Sequence, residues 1–253
     1  MIVEKYSGSG NDFLITHLCQ HPSPKDLAKE LCHRHLGIGA DGFIILKPHQ
    51  TYAYAWEFYN SDGSSALMCG NASRCVAHYA NKHHLAKAQH IFWAGARAIE
   101  VHVKKNTVAT HLGKPSTVET LSLISSYASY AYKIDTGVPH LVIFAKSQKS
   151  LPAYATQELK DLREEYNANV NVVYAKNPKT LYVHTYERGV EDITLACGTG
   201  MAAASGVYHF LHPDHCLFTC LPPSREELIL KVEEQNIIFE GKVRHIATCY
   251  IDA

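Results

Sequence analysis

The stretch Ala196–Ala204, ACGTGMAAA, is a cysteine, a glycine and a small polar residue that lead into a run of helix-forming residues. A second stretch of the same form, Met68–Cys75 or MCGNASRC, lies about half a chain earlier. In each stretch we expect a helix to begin directly after the cysteine. The repeat therefore predicts two similar halves, each carrying one cysteine at the start of a helix.

A thiol in this position has a distinctive environment. It lies near the positive end of the helix dipole and among backbone N–H groups that have no partner within the helix. This environment lowers the pKa of a cysteine from about 8.5 toward neutrality. Cys69 and Cys197 are therefore predicted to form one reactive site to which both halves contribute.

Length, charge and composition exclude several classes of protein. The 253 residues suit one large domain or two of ordinary size, and 46% of them are hydrophobic. Lys and Arg balance Asp and Glu at 24 each, so no basic excess predicts nucleic-acid or membrane binding. No apolar run is long enough to span a membrane, and the first residues lack a signal-peptide core. We therefore expect a cytoplasmic protein with reduced cysteines.

Hydrophobic periodicity predicts the same succession of elements in both halves. The predicted helices are residues 24–35, 70–83, 156–166 and 198–212. The predicted strands are residues 2–5, 13–17, 43–46, 52–59, 91–111 with two breaks, 133–144 interrupted at 136–140, 170–174, 181–186 and 228–249 with a turn near Gln235. Gly113–Ser116 is the best candidate linker. The predicted domains are residues 1–114, joined by 245–253, and residues 115–244.

Seven segments, taken in order, resemble the diaminopimelate epimerase family. They are Lys5–Phe13, Arg34–Gly42, Asn60–Ser64, Met68–Cys75, Asn169–Asn171, Glu187–Gly189 and Ala196–Gly200. The resemblance implies cofactor-independent interconversion of LL- and meso-diaminopimelate in lysine and peptidoglycan precursor biosynthesis. It also implies an α/β (α+β) fold of two pseudo-symmetric domains, with the active site in the cleft between them. Each domain would be a mixed, largely antiparallel sheet curled around a central helix.

The same resemblance implies roles for individual residues. Cys197 takes the α-proton of the substrate and Cys69 donates one, with the roles exchanged in the reverse reaction. His140 and Glu187 tune the thiols. The implied substrate-binding residues are Asn11, Asn60, Gly70, Asn71, Asn169, Glu187, Arg188, Gly198 and Thr199. No metal and no cofactor is implied.

The reaction itself explains why two thiols are needed. The α-hydrogen of an amino acid is very weakly acidic, and inverting its carbon requires a base on one face and an acid on the other. Without a pyridoxal electron sink, the protein must stabilise the carbanion-like state itself. Backbone N–H groups at the two helix starts could hold the α-carboxylate, whose charge grows in the transition state.

Three positions depart from the family's usual pattern. Val138 replaces an asparagine before the Pro-His pair, and Gly42 stands where some members carry glutamine. Each change removes one expected polar contact with the substrate. The stretch around Glu191–Ile193 is one residue longer than the commonest pattern, so the family pattern does not predict the conformation of this loop.

Three other interpretations compete with this one. Proline and hydroxyproline racemases share the paired cysteines but usually carry histidine after the first Cys-Gly, where this chain has Asn71 and, further on, Arg74. A zinc-binding module could use His212, His215, Cys216 and Cys220, or Cys32, His33 and His35, although neither group has paired Cys-x-x-Cys spacing. A disulfide scaffold is disfavoured in a cytosolic chain of this length.

The remaining cysteines and the oligomeric state complete the sequence-based expectations. Inert core residues are expected at Cys19, Cys32, Cys75, Cys216, Cys220 and Cys249. The sequence leaves both a monomer and a homodimer open. The expected partner is the small-molecule substrate.

Overall fold

The chain divides into two units in this computed structural model, which describes residues 1–66, 69–123, 125–234 and 236–251. Unit 1 contains residues 1–110 and 241–253, and unit 2 contains residues 111–240. Met68 of the first cysteine motif and Gln235 of the turn expected near the C-terminus lie outside the described residues.

The elements of the described chain are seventeen strands, four α-helices and a short 3₁₀ turn at Gln148–Ser150. Those of unit 1 are β1 Ile2–Gly8, β2 Asn11–Thr16, α1 Pro24–Cys32, β3 Gly42–Lys47, β4 Ala55–Asn60, α2 Gly70–Lys82, β5 Gln89–Trp93, β6 Ala98–Lys104, β7 Thr107–Gly113 and β17 Arg244–Tyr250. Those of unit 2 are β8 Glu119–Ser122, β9 Tyr130–Asp135, β10 Pro139–Phe144, α3 Gln157–Tyr166, β11 Asn169–Asn177, β12 Thr180–Glu187, β13 Asp192–Ile193, α4 Gly198–Leu211, β14 Leu217–Leu221, β15 Leu228–Glu233 and β16 Asn236–Lys242. Strands β7 and β16 each run across the boundary between the units.

The two units pair their strands in the same sequence of directions. In unit 1, β1–β2 is antiparallel, β2–β3 parallel, β3–β4 antiparallel and β4–β5 parallel, and β5–β6–β7 is an antiparallel meander. In unit 2, β9–β10, β10–β11, β11–β12 and β12–β14 repeat these four directions, and β14–β15–β16 is again an antiparallel meander. The outer partners are β17 on β1 and β8 on β9. The mixed, largely antiparallel sheets and the repeat are confirmed.

One helix in each unit is enclosed by its own sheet. In α4, every residue from Gly200 to Tyr208 is buried, and most of them are small or apolar. A helix that is apolar on all sides is typical of a core position rather than of a surface. Helix α2 is buried over most of its length from Gly70 to Ala80. The cysteine that precedes each helix is therefore fixed to the core of its unit.

A buried carboxylate ties β1 to the end of α2 and to β17. Glu4, which is only 4% exposed, accepts hydrogen bonds from Tyr6 Oη at 3.0 Å and from Lys82 Nζ at 2.9 Å. His83 Nε2 lies 2.8 Å and His245 Nε2 3.4 Å from the same carboxylate. Burial opposes ionisation of Glu4, but the bonds from Lys82, His83 and Tyr6 outweigh it and lower its pKa.

Helix α1 begins at Pro24 as predicted, but it ends earlier than predicted. It ends at Cys32 rather than near His35, because His33 takes an extended conformation and Gly37 N–H donates to His33 O. Ser23 precedes the helix, and its hydroxyl donates to Asp26 Oδ2 at 2.6 Å. Apolar periodicity located the helix, whereas hydrogen bonding in the following turn set its end.

Helix α3 was predicted correctly, with Thr156 capping its first turn through a bond from Leu159 N–H. Among the strands, the first hairpin turn is shorter than predicted and consists of Ser9 and Gly10, which both have positive φ. His140 lies within β10 and not in the interruption expected at residues 136–140. The short strands β8, β13 and β14 were not predicted. Among the described residues, no helix is long and apolar enough to cross a membrane.

Candidate active site

Cys197 is the residue that immediately precedes α4, in the unit 2 copy of the cysteine motif. Its backbone is extended, and its carbonyl accepts the N–H of Met201 at 3.0 Å, as an N-cap residue does. The side chain is 7% exposed, and Sγ lies 3.5 Å from Thr199 Oγ1. The sulfur is thus held at the positive end of a buried helix.

Glu187, the last residue of β12, lies beside Cys197. The residue is half-buried and its carboxyl group lies beside Thr194 and Cys197. Burial raises the pKa of Glu187, and its polar neighbours Thr194 and Cys197 only partly oppose the increase. A raised pKa makes this carboxylate a stronger base toward the neighbouring thiol.

His140 is completely buried in β10, where it pairs with Asn169 of the parallel strand β11. Its Nδ1 lies 3.1 Å from the side-chain Nδ2 of Asn171. Burial lowers the pKa of His140 to about 3. The imidazole is therefore neutral at any pH at which an enzyme normally works.

Asn169 and Arg188 are held by local bonds at the ends of β11 and β12. Asn169 Oδ1 accepts the backbone N–H of Arg188 at 2.9 Å, and Asn169 Nδ2 donates to Pro139 O at 3.3 Å. The guanidinium of Arg188 donates to the backbone and side-chain oxygens of Asn167, at 3.1 and 3.2 Å. Asn169 thus connects the start of β10 to the residue that follows β12.

The longer stretch after Arg188 is a tight turn between β12 and β13. Glu191 has a φ of 60° and Gly189 a φ of 93°. The Glu191 carboxylate accepts the Gly189 N–H at 2.9 Å and the guanidinium of Arg163 at 2.6 Å. Glu187 pairs with Asp192 across this turn.

Cys69 holds the equivalent position in unit 1, directly before α2. Its extended backbone accepts the N–H of Ser73 at 2.9 Å, and its Sγ accepts the N–H of Ala72 at 3.5 Å. The side chain is half-buried and packs against the apolar core of unit 1. Both predicted helix starts are therefore confirmed, and both cysteines are N-cap residues.

A chain of side-chain hydrogen bonds connects α2 to the first hairpin. Asn71 Nδ2 donates to Asn11 Oδ1 at 2.6 Å, and Asn71 Oδ1 accepts from the fully buried Arg74 at 2.9 Å. Arg74 also donates to Ser9 Oγ at 2.7 Å. Asn11 passes the connection on to Asp41 through Nδ2 at 2.9 Å. Asn71 and Arg74, which argued against a racemase, therefore organise this part of unit 1.

Asn60 and Gly42 lie opposite each other at the ends of β4 and β3. Asn60 Nδ2 donates to Ser64 Oγ at 2.9 Å and stabilises the following turn. A Cβ atom at Gly42 would lie 2.5 Å from the Phe58 ring and 2.9 Å from Tyr59 O. The structure has no room for the glutamine that some family members carry at this position.

Within each unit, the structure brings together some of the predicted residues. Cys197, Thr199 and Glu187 are neighbours in unit 2, and Asn11 and Asn71 are bonded in unit 1. Gly198 faces Phe239, whose ring would lie 2.9 Å from an added Cβ.

Sequence reasoning assigned no role to Asn171 and Thr185. In the run NVNVV at the start of β11, alternation places Asn169 and Asn171 on one face of a buried strand. Two amides on one face of such a strand were the signal that could have identified Asn171.

The other cysteines divide into buried and accessible ones. Burial raises the pKa of Cys32 and of Cys220 to about 12, so both remain protonated thiols. Cys216 is exposed, so its prediction as a core residue was wrong. Among the described residues, no group of three His, Cys, Asp or Glu side chains is arranged to hold a metal ion.

Comparisons with known proteins agree with the motifs. A sequence model of the family described as "Diaminopimelate epimerase" matches residues 3–118. The chain is 44% identical to a diaminopimelate epimerase of Helicobacter pylori, over 97% of this chain and 95% of that protein. It is 46% identical to the diaminopimelate epimerase of a Nitratiruptor species, over 97% of this chain and 96% of that protein.

Solved structures of more distant proteins share the fold. A phenazine biosynthesis PhzC/PhzF protein from Clostridium difficile (strain 630) superposes with a TM-score of 0.78 at 10% identity, covering all of both chains. A hydroxyproline epimerase from Agrobacterium vitis superposes with a TM-score of 0.71 at 12% identity, covering 98% of this chain and 91% of that one. At these identities the likeness concerns the fold alone.

Proposed function

The chain belongs to the diaminopimelate epimerase family, and we propose that it interconverts LL- and meso-diaminopimelate without a cofactor. The observation that supports this most directly is the equivalence of Cys69 and Cys197. Each is the N-cap of an enclosed helix, and each follows the equivalent strand of its unit, β4 or β12, with the short β13 intervening in unit 2. A duplicated thiol suits a reaction that needs one proton acceptor and one proton donor.

The proposed mechanism uses one thiolate and one thiol at a time. In one direction Cys197 removes the α-proton and Cys69 delivers a proton to the opposite face of the same carbon. In the other direction their roles exchange. The N-terminus of each helix favours the thiolate of its N-cap cysteine. The net reaction inverts one stereocentre and consumes no oxidant or reductant.

Charge stabilisation is assigned to the two helix starts. The backbone N–H groups of Gly70 and Asn71, and those of Gly198 and Thr199, are proposed to hold the α-carboxylate. As the α-carbon loses its proton, negative charge spreads onto that carboxylate, and fixed donors then bind it more strongly. Helix N-termini are suited to this task because their N–H groups have no intrahelical acceptor.

Glu187 and His140 are proposed to set the protonation of the thiols. The raised pKa of Glu187 lets it accept a proton from Cys197, beside which it lies. The imidazole of His140 is neutral, so it contributes no positive charge that would fix a thiol as its thiolate.

The remaining binding residues are proposed to recognise the polar ends of the substrate. Arg188 can form a bidentate contact with a carboxylate. Asn11, Asn60 and Asn169 carry amides that can address an ammonium and carboxylate pair. In the described structure these amides hold protein groups, so substrate binding would add to or exchange these bonds.

The proposed setting follows from this activity. An enzyme of lysine and peptidoglycan precursor synthesis would work in the cytoplasm, with no nucleic-acid or membrane partner. Its domains are proposed as residues 1–114 with 245–253 and residues 115–244. A homodimer is compatible with this proposal.

The test is incubation of the purified chain with LL-diaminopimelate in heavy water, with no cofactor added. We expect formation of the meso isomer and incorporation of deuterium at the α-carbon. The variants Cys69→Ser and Cys197→Ser should abolish epimerisation, whereas Cys216→Ser, at an exposed thiol, should leave it unchanged. L-proline serves as the control substrate and should not be racemised. Activity that persists in Cys197→Ser would overturn the mechanism.

A further inference from the structure

The side-chain amide of Asn171 occupies the centre of a buried polar network in unit 2. Its Nδ2 donates to Leu141 O at 3.0 Å and lies 3.4 Å from Asn169 O. Its Oδ1 accepts the hydroxyl proton of Thr185 at 2.9 Å. Because backbone carbonyls only accept hydrogen bonds, they fix which end of the amide is nitrogen.

This orientation determines where the proton lies on His140. Asn171 Nδ2 can only donate hydrogen bonds. His140 Nδ1 must therefore be the acceptor in their 3.1 Å contact. In a neutral imidazole the proton is then on Nε2. His140 Nε2 is buried and makes no hydrogen bond to any residue in the described part of the chain. The ring thus keeps an unused N–H donor.

Unit 1 shows that the fold does not require polar side chains at the positions of His140, Asn171 and Thr185. In unit 2, His140 pairs with Asn169, and two residues further along β11, Asn171 pairs with Thr185. At the same places in unit 1, Phe13 pairs with Gly42, and two residues further along β3, Ile44 pairs with Phe58. Phe13, Ile44 and Phe58 are therefore the counterparts of His140, Asn171 and Thr185.

The counterparts in unit 1 form an ordinary apolar core. Phe13 and Phe58 pack edge to face with ring centroids 5.9 Å apart, and Ile44 is fully buried. Burying polar groups is costly unless each is hydrogen-bonded, whereas apolar side chains at the same positions carry no such cost. The retention of three polar side chains in unit 2 therefore points to a task outside folding.

The start of α4 is adapted to the network. A Cβ atom at Gly200 would lie 2.7 Å from Thr185 Oγ1, closer still to Asn171 Oδ1, and 3.3 Å from Cys197 Cβ. Glycine therefore lets the Asn171–Thr185 pair lie directly against the first turn that carries Cys197. The equivalent residue of α2 is Ala72, which is buried in the same apolar core as Phe13, Ile44 and Phe58.

We propose that Asn171 is a positioning residue that, with Thr185, holds His140 as its Nε2–H tautomer. His140 then presents a hydrogen-bond donor, and not a base, to the reaction. This role rests on the proposed function, since it concerns how the neutral imidazole serves the thiol and thiolate chemistry. Asn171 contacts no reacting atom in this role and acts only through His140.

The tautomer can be measured without substrate. Nitrogen-15 NMR of protein labelled at histidine separates a protonated from an unprotonated ring nitrogen, and His140 is assigned by the signals lost in His140→Phe. Between pH 6 and pH 9 we expect one form, with the proton on Nε2. A proton on Nδ1 in the unmodified protein overturns the proposal, even if the protein is an active epimerase.

Two variants test the role of Asn171 itself. Asn171→Asp places a carboxylate beside Nδ1 and should move a proton to that nitrogen. Asn171→Leu, which resembles Ile44 of unit 1, removes the donor and should leave a mixture of tautomers. Thr110→Val removes a different buried hydroxyl, in unit 1, and should leave the His140 signals unchanged. If Asn171→Asp and Asn171→Leu, both folded by their amide spectra, keep the single Nε2–H form, Asn171 does not set the tautomer.

Kinetics provide the second measurement. Partners that orient metal-bound histidines account for about 10- to 100-fold in activity, and we take the same range for this orienting partner. We expect kcat for diaminopimelate to fall by this factor in Asn171→Leu, with KM changed less than threefold, and Thr110→Val to match the unmodified protein. An unchanged kcat in a variant whose tautomer is lost overturns the proposed role in catalysis. An inactive unmodified protein with the expected tautomer would instead refute the proposed function and leave the Asn171–His140 geometry intact.

Discussion

Replacing Gly200 by alanine should destabilise unit 2, because the new methyl group would collide with Asn171 and Thr185. The methyl carbon would start 2.7 Å from Thr185 Oγ1, well inside an ordinary contact of about 3.5 Å. Overpacking of this kind costs about 1–3 kcal/mol, and a lost Thr185–Asn171 hydrogen bond adds about 1 kcal/mol. The helix propensity of alanine returns at most about 1 kcal/mol. We therefore expect a net loss of about 1–3 kcal/mol.

The assay is calorimetric unfolding, with Gly206→Ala as the matched control in the same helix. At Gly206 an added Cβ would meet only the ends of two isoleucine side chains, Ile134 at 3.2 Å and Ile237 at 3.4 Å. These ends can move, so the control should unfold within about 2 °C of the unmodified protein. Since 1 kcal/mol corresponds to about 2–4 °C for a domain of this size, a loss of about 1–3 kcal/mol in Gly200→Ala should lower the Tm by about 2–12 °C.

The result that would refute this reasoning is equal stability of the two variants. If Gly200→Ala unfolded at the same temperature as Gly206→Ala, the Asn171–Thr185 pair could not be packed against α4 as described. The two variants have the same change in composition and in helix propensity. Any difference between them therefore reports the local contact.

Three further predictions concern titratable groups. Glu4→Gln should cost about 1–3 kcal/mol at pH 7, less than a fully buried pair because its partners Lys82 and His83 are partly exposed. Since the pKa of folded Glu4 is lowered, that stabilisation is present above about pH 4.5 and lost as pH falls through the folded value, so melting curves of variant and unmodified protein should converge in acid. His140 has a folded pKa of about 3 against about 6.5 unfolded, so it costs stability as pH falls below 6.5, and His140→Phe should remove that part of the acid sensitivity in the same melting series. The epimerase rate should have a bell-shaped dependence on pH, with two apparent pKa values that belong to the thiol pair. Glu187→Gln should lower kcat by at least about tenfold and displace the acidic limb of this profile. A rate that only rises with pH would contradict the two-thiol mechanism.

The sequence predicted best where function and local structure share the same residues. The Cys-Gly pattern located both helix starts, and each cysteine is an N-cap. Local signals also sufficed for α3, whose cap and apolar stripe are adjacent in the chain. Such features depend on hydrogen bonds between residues three or four positions apart, so a short window of sequence contains them.

The polar network around His140 could not be predicted in the same way. Asn171 and His140 lie 31 positions apart and meet because β10 and β11 are parallel neighbours in one register. A shift of that register by one residue would turn Asn171 to the opposite face. The end of α1 was mistaken for a different reason: the apolar stripe continues past Cys32, but His33 takes an extended conformation that the stripe does not signal.

The pairing of β1 with β17 affects the order in which the two units can fold during synthesis. Residues 2–7 of β1 pair with residues 244–250 of β17, so one flank of β1 is covered by a segment that lies more than 230 positions later in the chain. All residues of unit 2 are synthesised before that strand. Closing so long a loop is slow and entropically unfavourable. Unit 2 can therefore complete its core first, while one flank of β1 in unit 1 stays unpaired until β17 has been synthesised.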